Sequence, residues 1–136
     1  MNWLLPNESP VRDIDMAELS LIWPYRVVLP QVRDEILARV YAKLVQLHGV
    51  NRYWGDAYYR SDNGISGEWP MGFFWLSIIA SEMGNHSLAR QWYEKGILEM
   101  TPDGHIPELY KNGKPNNHTP LAWAHAMALI AAKKLV

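Results

Sequence analysis

Met71-Gly72-Phe73-Phe74-Trp75-Leu76-Ser77-Ile78-Ile79-Ala80 is the stretch whose reading decides the fold. In a helix running from about Glu68 to Met83 these residues leave no polar stripe, and a helix that is apolar all round must be covered all round. Gly84 can stop it. The flanking helices are of the opposite kind. Upstream, from about Pro30 to Leu47, Val32, Ile36, Val40, Leu44 and Leu47 recur at helical spacing, with Arg33, Asp34, Arg39, Lys43 and Gln46 on the other side. Pro30 suits the first turn of that helix and Gly49 its C-terminal cap. Downstream, from about Ser87 to Met100, Leu88, Trp92 and Ile97 oppose Arg90, Glu94 and Lys95. The segment from Thr119 to Leu135 returns to the first kind. Thr119 is its expected N-cap and Pro120 its first helical residue, followed by Leu121, Trp123, Ala124, Ala126, Met127, Leu129 and Ile130. Asp15 to Ile22 reads as another inner helix, ended near Trp23-Pro24 because the residue before a proline resists helical geometry. No stretch alternates as a half-buried strand does. Outer, inner, outer, inner predicts an all-α protein with two concentric layers, a partial α/α toroid, rather than a simple bundle.

Antiparallel helices put their linkers at alternate ends of such a ring. The long linkers before the two apolar helices, about residues 48–67 and 101–118, therefore share one rim, and the short turn at Gly84-Asn85-His86 takes the other. Long loops on one rim are how a scaffold displays a site. The rim gathers Arg52, Asp56, Glu68, Trp69, Glu108 and Tyr110.

Composition narrows what that rim can bind. At 136 residues the chain fits one domain with a real core. Thirteen basic against fourteen acidic residues give a net charge of −1, which offers no field for nucleic acid or anionic lipid. The chain has no cysteine, and His105, His118 and His125 do not fall at metal-ligand spacings, so neither a metal nor another cofactor is expected. The start Met1-Asn2-Trp3-Leu4-Leu5-Pro6 lacks a signal-peptide pattern, no apolar run is long enough to span a membrane, and a cytoplasmic location is expected. Three glycosylation-type triplets, at Asn7, Asn85 and Asn117, read as chance matches in so loose a motif. Seven tryptophans and seven tyrosines beside two phenylalanines favour surfaces that are half apolar and half wet, sugar-binding clefts among them, though a Trp-rich core is the plainer reading.

On that rim Glu108, in Pro107-Glu108-Leu109-Tyr110, is a candidate general base for glycoside hydrolysis or an ordinary surface carboxylate. Arg52 and Asp56 are candidates to bind sugar hydroxyls or to form a local ion pair. Trp69 and Tyr110 are candidate faces for a pyranose ring. The Gly64-Ile65-Ser66-Gly67 run is not a nucleophile elbow, and no phosphate loop is present.

From about Asp13 to Lys134 the chain resembles the C-terminal part of the glycoside hydrolase family 15, glucoamylase-like, catalytic domain. The flavour is that of the glucoamylase-like domain of phosphorylase b kinase regulatory subunits. Leu19-Ser20-Leu21-Ile22-Trp23-Pro24-Tyr25, the loop from Arg52-Tyr53 to Tyr59, Gly67-Glu68-Trp69-Pro70, Pro107-Glu108-Leu109-Tyr110 and Asn117-His118-Thr119-Pro120 carry the likeness in order and spacing. The resemblance implies an (α/α)6 barrel, with residues 1–136 as its C-terminal portion; residues 1–12, outside the likeness, are expected to be disordered. It implies Glu108 as general base and Arg52 and Asp56 in the loop that contacts the glucosyl unit. Glu68 and Trp69 would lie where the next inner helix meets the pocket. Gly55 stands where the fungal enzymes carry an acidic residue, and nothing in residues 1–28 resembles the segment that bears the general acid. The expected ligand is an α-glucan or malto-oligosaccharide, bound by a module that is inactive alone or by a regulatory module that never hydrolyses. An incomplete ring is expected to expose Phe73-Phe74-Trp75 and Trp123 and to need a complementary N-terminal fragment or self-association.

Overall fold

The computed structural model describes residues 13–136, so the expectation of disorder over residues 1–12 lies outside the described residues. Among the described residues a 3-10 turn, Met16–Glu18, leads into the one-turn helix α1 (Leu19–Ile22). It is followed by α2 (Pro30–Lys43), α3 (Met71–Glu82), α4 (His86–Leu98) and α5 (Ala122–Lys134). The short entry to α1 is set by Asp15 and Glu18, which form a reciprocal capping box.

Helix α3 is the buried axis. Every residue from Met71 to Ala80 is buried, as its lack of a polar stripe requires. It packs closely on α4 and α5. Phe73 stacks on Trp92 at 5.8 Å and Phe74 meets Tyr93 edge-on at 5.9 Å. Helix α4 approaches closely because Gly96 faces Phe74: a Cβ there would lie 2.6 Å from the ring. Its buried face is therefore Ala89, Trp92, Tyr93 and Gly96, while Ile97, expected on that face, is 38% exposed.

Two features of the incomplete ring turn out differently from each other. Phe73 and Phe74 are fully buried and Trp75 nearly so, contrary to expectation. Neighbours on both sides of α3 cover them, with the Trp75 indole donating to the Trp23 carbonyl at 2.9 Å and its ring facing Trp123 at 6.2 Å. Helix α5 lacks that cover on one flank. It buries Ala124, Met127 and Ala131 and leaves Trp123 56% and Leu129 73% exposed.

The helices also end earlier at the rim than their periodicity suggests. Helix α2 stops at Lys43, because Asn51 N–H donates back to the Leu44 carbonyl and Gln46 N–H to that of Gly49, closing a tight loop with Leu47 exposed at its tip. Gly49 is thus no helix cap. A Cβ there would lie 2.4 Å from the Trp69 carbonyl carbon, so glycine lets two strands of chain touch. Helix α5 begins at Ala122 rather than Thr119, because the backbone before it is committed elsewhere: the His118 carbonyl accepts from Glu108 and Leu121 N–H donates to Ile106.

Strands are present where none was expected, as a small antiparallel sheet on the rim. Its order is β1 (Val50–Asn51), β2 (Glu68–Trp69), β3 (Tyr110–Lys111), β4 (Lys114–Pro115). Two-residue strands are too short to show alternation. Their one legible signal is Asn112-Gly113, both at positive φ, the residue pair that a tight hairpin between β3 and β4 demands.

Candidate functional site

The sheet ties the two long loops together. Glu68 stands opposite Asn51 on one side and Tyr110 on the other. Beyond it, the hairpin tip docks on the first loop. Asn112 Nδ2 donates to the Asp62 carboxylate at 3.1 Å, its Oδ1 accepts from Asp62 N–H at 2.8 Å, and its own N–H donates to Ser61 Oγ at 2.7 Å.

Arg52 and Asp56 bind each other in a fork, Nε to Oδ2 at 2.9 Å and Nη2 to Oδ1 at 3.2 Å. Asp56 is buried and also accepts from Tyr58 N–H at 2.9 Å, which shapes the loop. The hydrogen bond that Arg52 donates to Asp56 raises the Arg52 pKa further. The guanidinium lies over Tyr53 at 5.1 Å and Tyr58 at 5.7 Å. Tyr58 in turn meets Tyr59 edge-on at 4.3 Å. The Tyr59 hydroxyl has a raised pKa, through its hydrogen bond with Tyr58, then burial, then the charges of Tyr58 and Glu108. A chain of contacts therefore runs Asp56, Arg52, Tyr58, Tyr59, on the loop that the sheet ties to the Glu108 loop.

Glu108 is half-buried and its loop is held at three points. Its N–H donates to the His118 carbonyl at 3.1 Å and its Oε2 accepts from Asn116 Nδ2 at 2.6 Å. Two residues earlier, Ile106 N–H donates to His125 Nε2 on α5 at 2.9 Å. Among the described residues no hydrogen bond is made by Glu108 Oε1, which leaves one carboxylate oxygen for a ligand or water.

Glu68 and Tyr110 belong to a neighbouring cluster at the ends of α2 and α4. Glu68 is buried and its Oε1 accepts from His48 N–H at 2.9 Å. The Tyr110 hydroxyl donates to the Glu99 carbonyl at 2.8 Å, its ring stacks on His48 at 4.9 Å, and His48 Nδ1 lies 2.9 Å from Glu99 Oε2. Burial, then the Glu99 charge, raises the Tyr110 pKa. Trp69 is half-buried and packs against the core, with its backbone pressed on Gly49. Arg52 and Asp56 are thus joined to each other and to two tyrosines, Glu108 is held by Asn116 on the other loop, and Glu68 and Tyr110 tie the two loops together. Tyr59, Asn116, His48 and Glu99 were not picked from the sequence. For Asn116 the Asn112-Gly113 hairpin was the available signal, since reversing the chain there folds residue 116 back over residue 108.

Among the described residues no group of three or more metal-ligating side chains is found, and no helix is long and apolar enough to cross a membrane.

No family model and no curated protein matches the sequence. Solved structures do match. A chain described as a wild-type glycosidase superposes with a TM-score of 0.76 at 24% identity, covering 89% of this chain and 35% of its own. A tyrosine-to-phenylalanine variant of a glycosidase gives the same values. A glutamate-to-alanine glycosidase variant in complex with glucose gives a TM-score of 0.74, again at 24% identity and with the same coverage. The protein described here spans about a third of the length of those chains. At this identity the likeness is one of architecture: the chain has the six-hairpin glycosidase-like fold, as part of an α/α toroid.

Proposed function

We propose that the rim is the general-base side of a glucan-binding cleft of the glucoamylase-like type, and that this chain by itself does not hydrolyse glycosides. The observation that carries the reading is the sheet that ties the loop of the Arg52–Asp56 fork, with Tyr58 and Tyr59, to the loop of Glu108, whose Oε2 is held by Asn116 with its other oxygen left open. The guanidinium and the tyrosine hydroxyls suit sugar hydroxyls, and the aromatic faces suit the C–H surface of a pyranose. The open Glu108 oxygen is the acceptor that an attacking water needs. Hydrolysis also needs an acid to protonate the leaving oxygen, with the second carboxyl about 6.5–9.5 Å away in inverting enzymes. Asp56 does not fill that role, because both its oxygens accept from Arg52.

The engagement of Asp56 favours a second reading, a non-catalytic glucan-binding or regulatory module of the kind found in phosphorylase kinase regulatory subunits. In both readings a complementary helical fragment or a second copy of the chain covers the bare flank of α5, supported by the exposure of Trp123 and Leu129. Calorimetric titration with maltotriose tests the common part. Arg52→Ala is expected to abolish binding and Glu108→Gln to weaken it, and unchanged affinity in both variants refutes the cleft. Turnover of maltotriose by the chain alone, lost in Glu108→Gln, refutes the claim of inactivity.

A further inference from the structure

A groove of about 400 Å³ opens along the first rim loop, lined by Gln46, Asn51, Trp54, Gly55, Arg60 and Ser66 among others and by neither Arg52, Asp56 nor Glu108. Its wall is unusual for a surface. Trp54 is 54% exposed, although nothing in its packing requires an indole to face water. The loop that presents it is nevertheless firmly held. Trp54 N–H donates to the Ile14 carbonyl at 3.1 Å, and Gly55, at φ 80°, turns the chain immediately after it. The Lys43 ammonium sits 5.7 Å from the indole centroid. Arg60 spends one guanidinium nitrogen on the Gly55 carbonyl at 3.1 Å, which fixes its direction and, among the described residues, leaves its other donors unspent.

The floor is already satisfied. Asn51 Nδ2 donates to the Ser66 and Gly67 carbonyls, and Ser66 Oγ donates to the Asp56 carbonyl at 2.6 Å. Groups able to engage a ligand are therefore a flat aromatic face, the Gln46 amide and the Arg60 guanidinium. A planar apolar platform flanked by planar polar side chains matches one chemistry well, a neutral sugar with C–H groups on its face and hydroxyls at its edge. The Ser66–Asp56 bond joins the wall of this groove to the backbone of the residue that anchors the Arg52 fork.

We propose that this groove is a second glycan-binding site, which holds a further stretch of an α-glucan chain outside the cleft. The inference rests on the reading of the rim as a glucan cleft, and it adds a site to which no role has been given. Trp54 is the platform, and Gln46 and Arg60 are the hydroxyl partners.

The test is a nuclear magnetic resonance titration of the nitrogen-15-labelled full chain with maltose and with maltoheptaose. It follows the Trp54 indole N–H, assigned with Trp54→Phe, together with the amides of Tyr59 and Glu108. Maltoheptaose is expected to shift both sets of signals. Trp54→Ala is expected to weaken maltoheptaose binding about tenfold, an aromatic contact's ordinary worth, and to change maltose binding at the Glu108 amide less than twofold. Gln46→Ala, a milder surface change, is expected to weaken maltoheptaose alone. Shifts at Tyr59 and Glu108 with Trp54 unmoved overturn the second site and leave the cleft standing. Shifts at Trp54 alone uphold the second site and refute the cleft. No shift at millimolar maltoheptaose overturns both.

Discussion

Replacing Gly96 by alanine tests the packing that sets the two layers against each other. At an exposed helical glycine this change stabilises, because alanine is favoured over glycine in a helix by about 0.8–1.0 kcal/mol. Here the new Cβ would lie 2.6 Å from Cε1 and Cζ of Phe74 and 3.0 Å from Cδ1. Carbon atoms in contact prefer about 3.5–4.0 Å, so the ring or the helix must give by roughly 1 Å. Phe74 cannot retreat easily, since it is fully buried and edged against Tyr93. Overpacking of this kind costs about 1–3 kcal/mol. Subtracting the helical gain leaves a net loss of about 1 kcal/mol, up to about 2, or a melting point lower by about 3–6 °C. Circular dichroism melts and urea titrations of the wild type and Gly96→Ala measure it. Phe74→Leu removes the atoms that clash, so the double variant should be more stable than the two single losses added together, by at least about 0.5 kcal/mol. A Gly96→Ala chain that melts at or above wild type, or strict additivity with Phe74→Leu, refutes the close α3–α4 approach.

Three further outcomes are expected. Tyr110→Phe keeps the stack on His48 but loses the bond to the Glu99 carbonyl, so urea titration should show a loss of about 0.5–1.5 kcal/mol; unchanged stability would mean that bond is not made in solution. Glu82 accepts from Lys134 and Arg26 at the ends of α3, α5 and the segment after α1, and the Lys134 bond, then the Arg26 bond, lower its pKa below the ordinary 4.5. A depressed folded pKa means that the contribution is complete above the unfolded value and disappears as pH falls through the folded one. Both partners are partly exposed, so the size is about 0.5–1 kcal/mol. The melting-point gap between wild type and Glu82→Gln should be open at pH 7 and close below about pH 4.5; a gap that does not change with pH contradicts the assignment. Finally, Leu129→Glu should leave the melting point nearly unchanged, because Leu129 is exposed. Sedimentation at tens of micromolar is expected to show association in the wild type that this variant lacks, and a wild type that stays monomeric rules out self-association through α5.

Periodicity and apolar runs were enough for the layers. Helix α3 lies buried from Met71 to Ala80 because a helix without a polar face has no other place to go. The sharing of one rim by Arg52, Asp56, Glu68, Trp69, Glu108 and Tyr110 followed from loop lengths and helix direction alone. Local pattern ran out where single atoms decide. Gly49 reads as a cap and Gly96 gives no signal in the helical pattern, and only the approach of Trp69 and Phe74 explains them. Phe73, Phe74 and Trp75 read as the bare edge of a broken ring, yet α4, α5 and Trp23 cover them, and the bare flank falls on α5 instead. Side-chain direction on the rim was likewise not in the sequence. Glu68 and Tyr110 turn toward His48 and Glu99 because strand pairing puts them on a common face, and residue spacing carries no pairing partner.

What the sequence determined by itself, then, is which faces must be buried, since hydrophobicity and period are properties of the chain. What only the tertiary structure decided is which groups meet across loops far apart in sequence. Asn116 reaches Glu108, and Asn112 reaches Asp62 fifty residues earlier, because the packing of α3 against its neighbours fixes where each loop begins and ends.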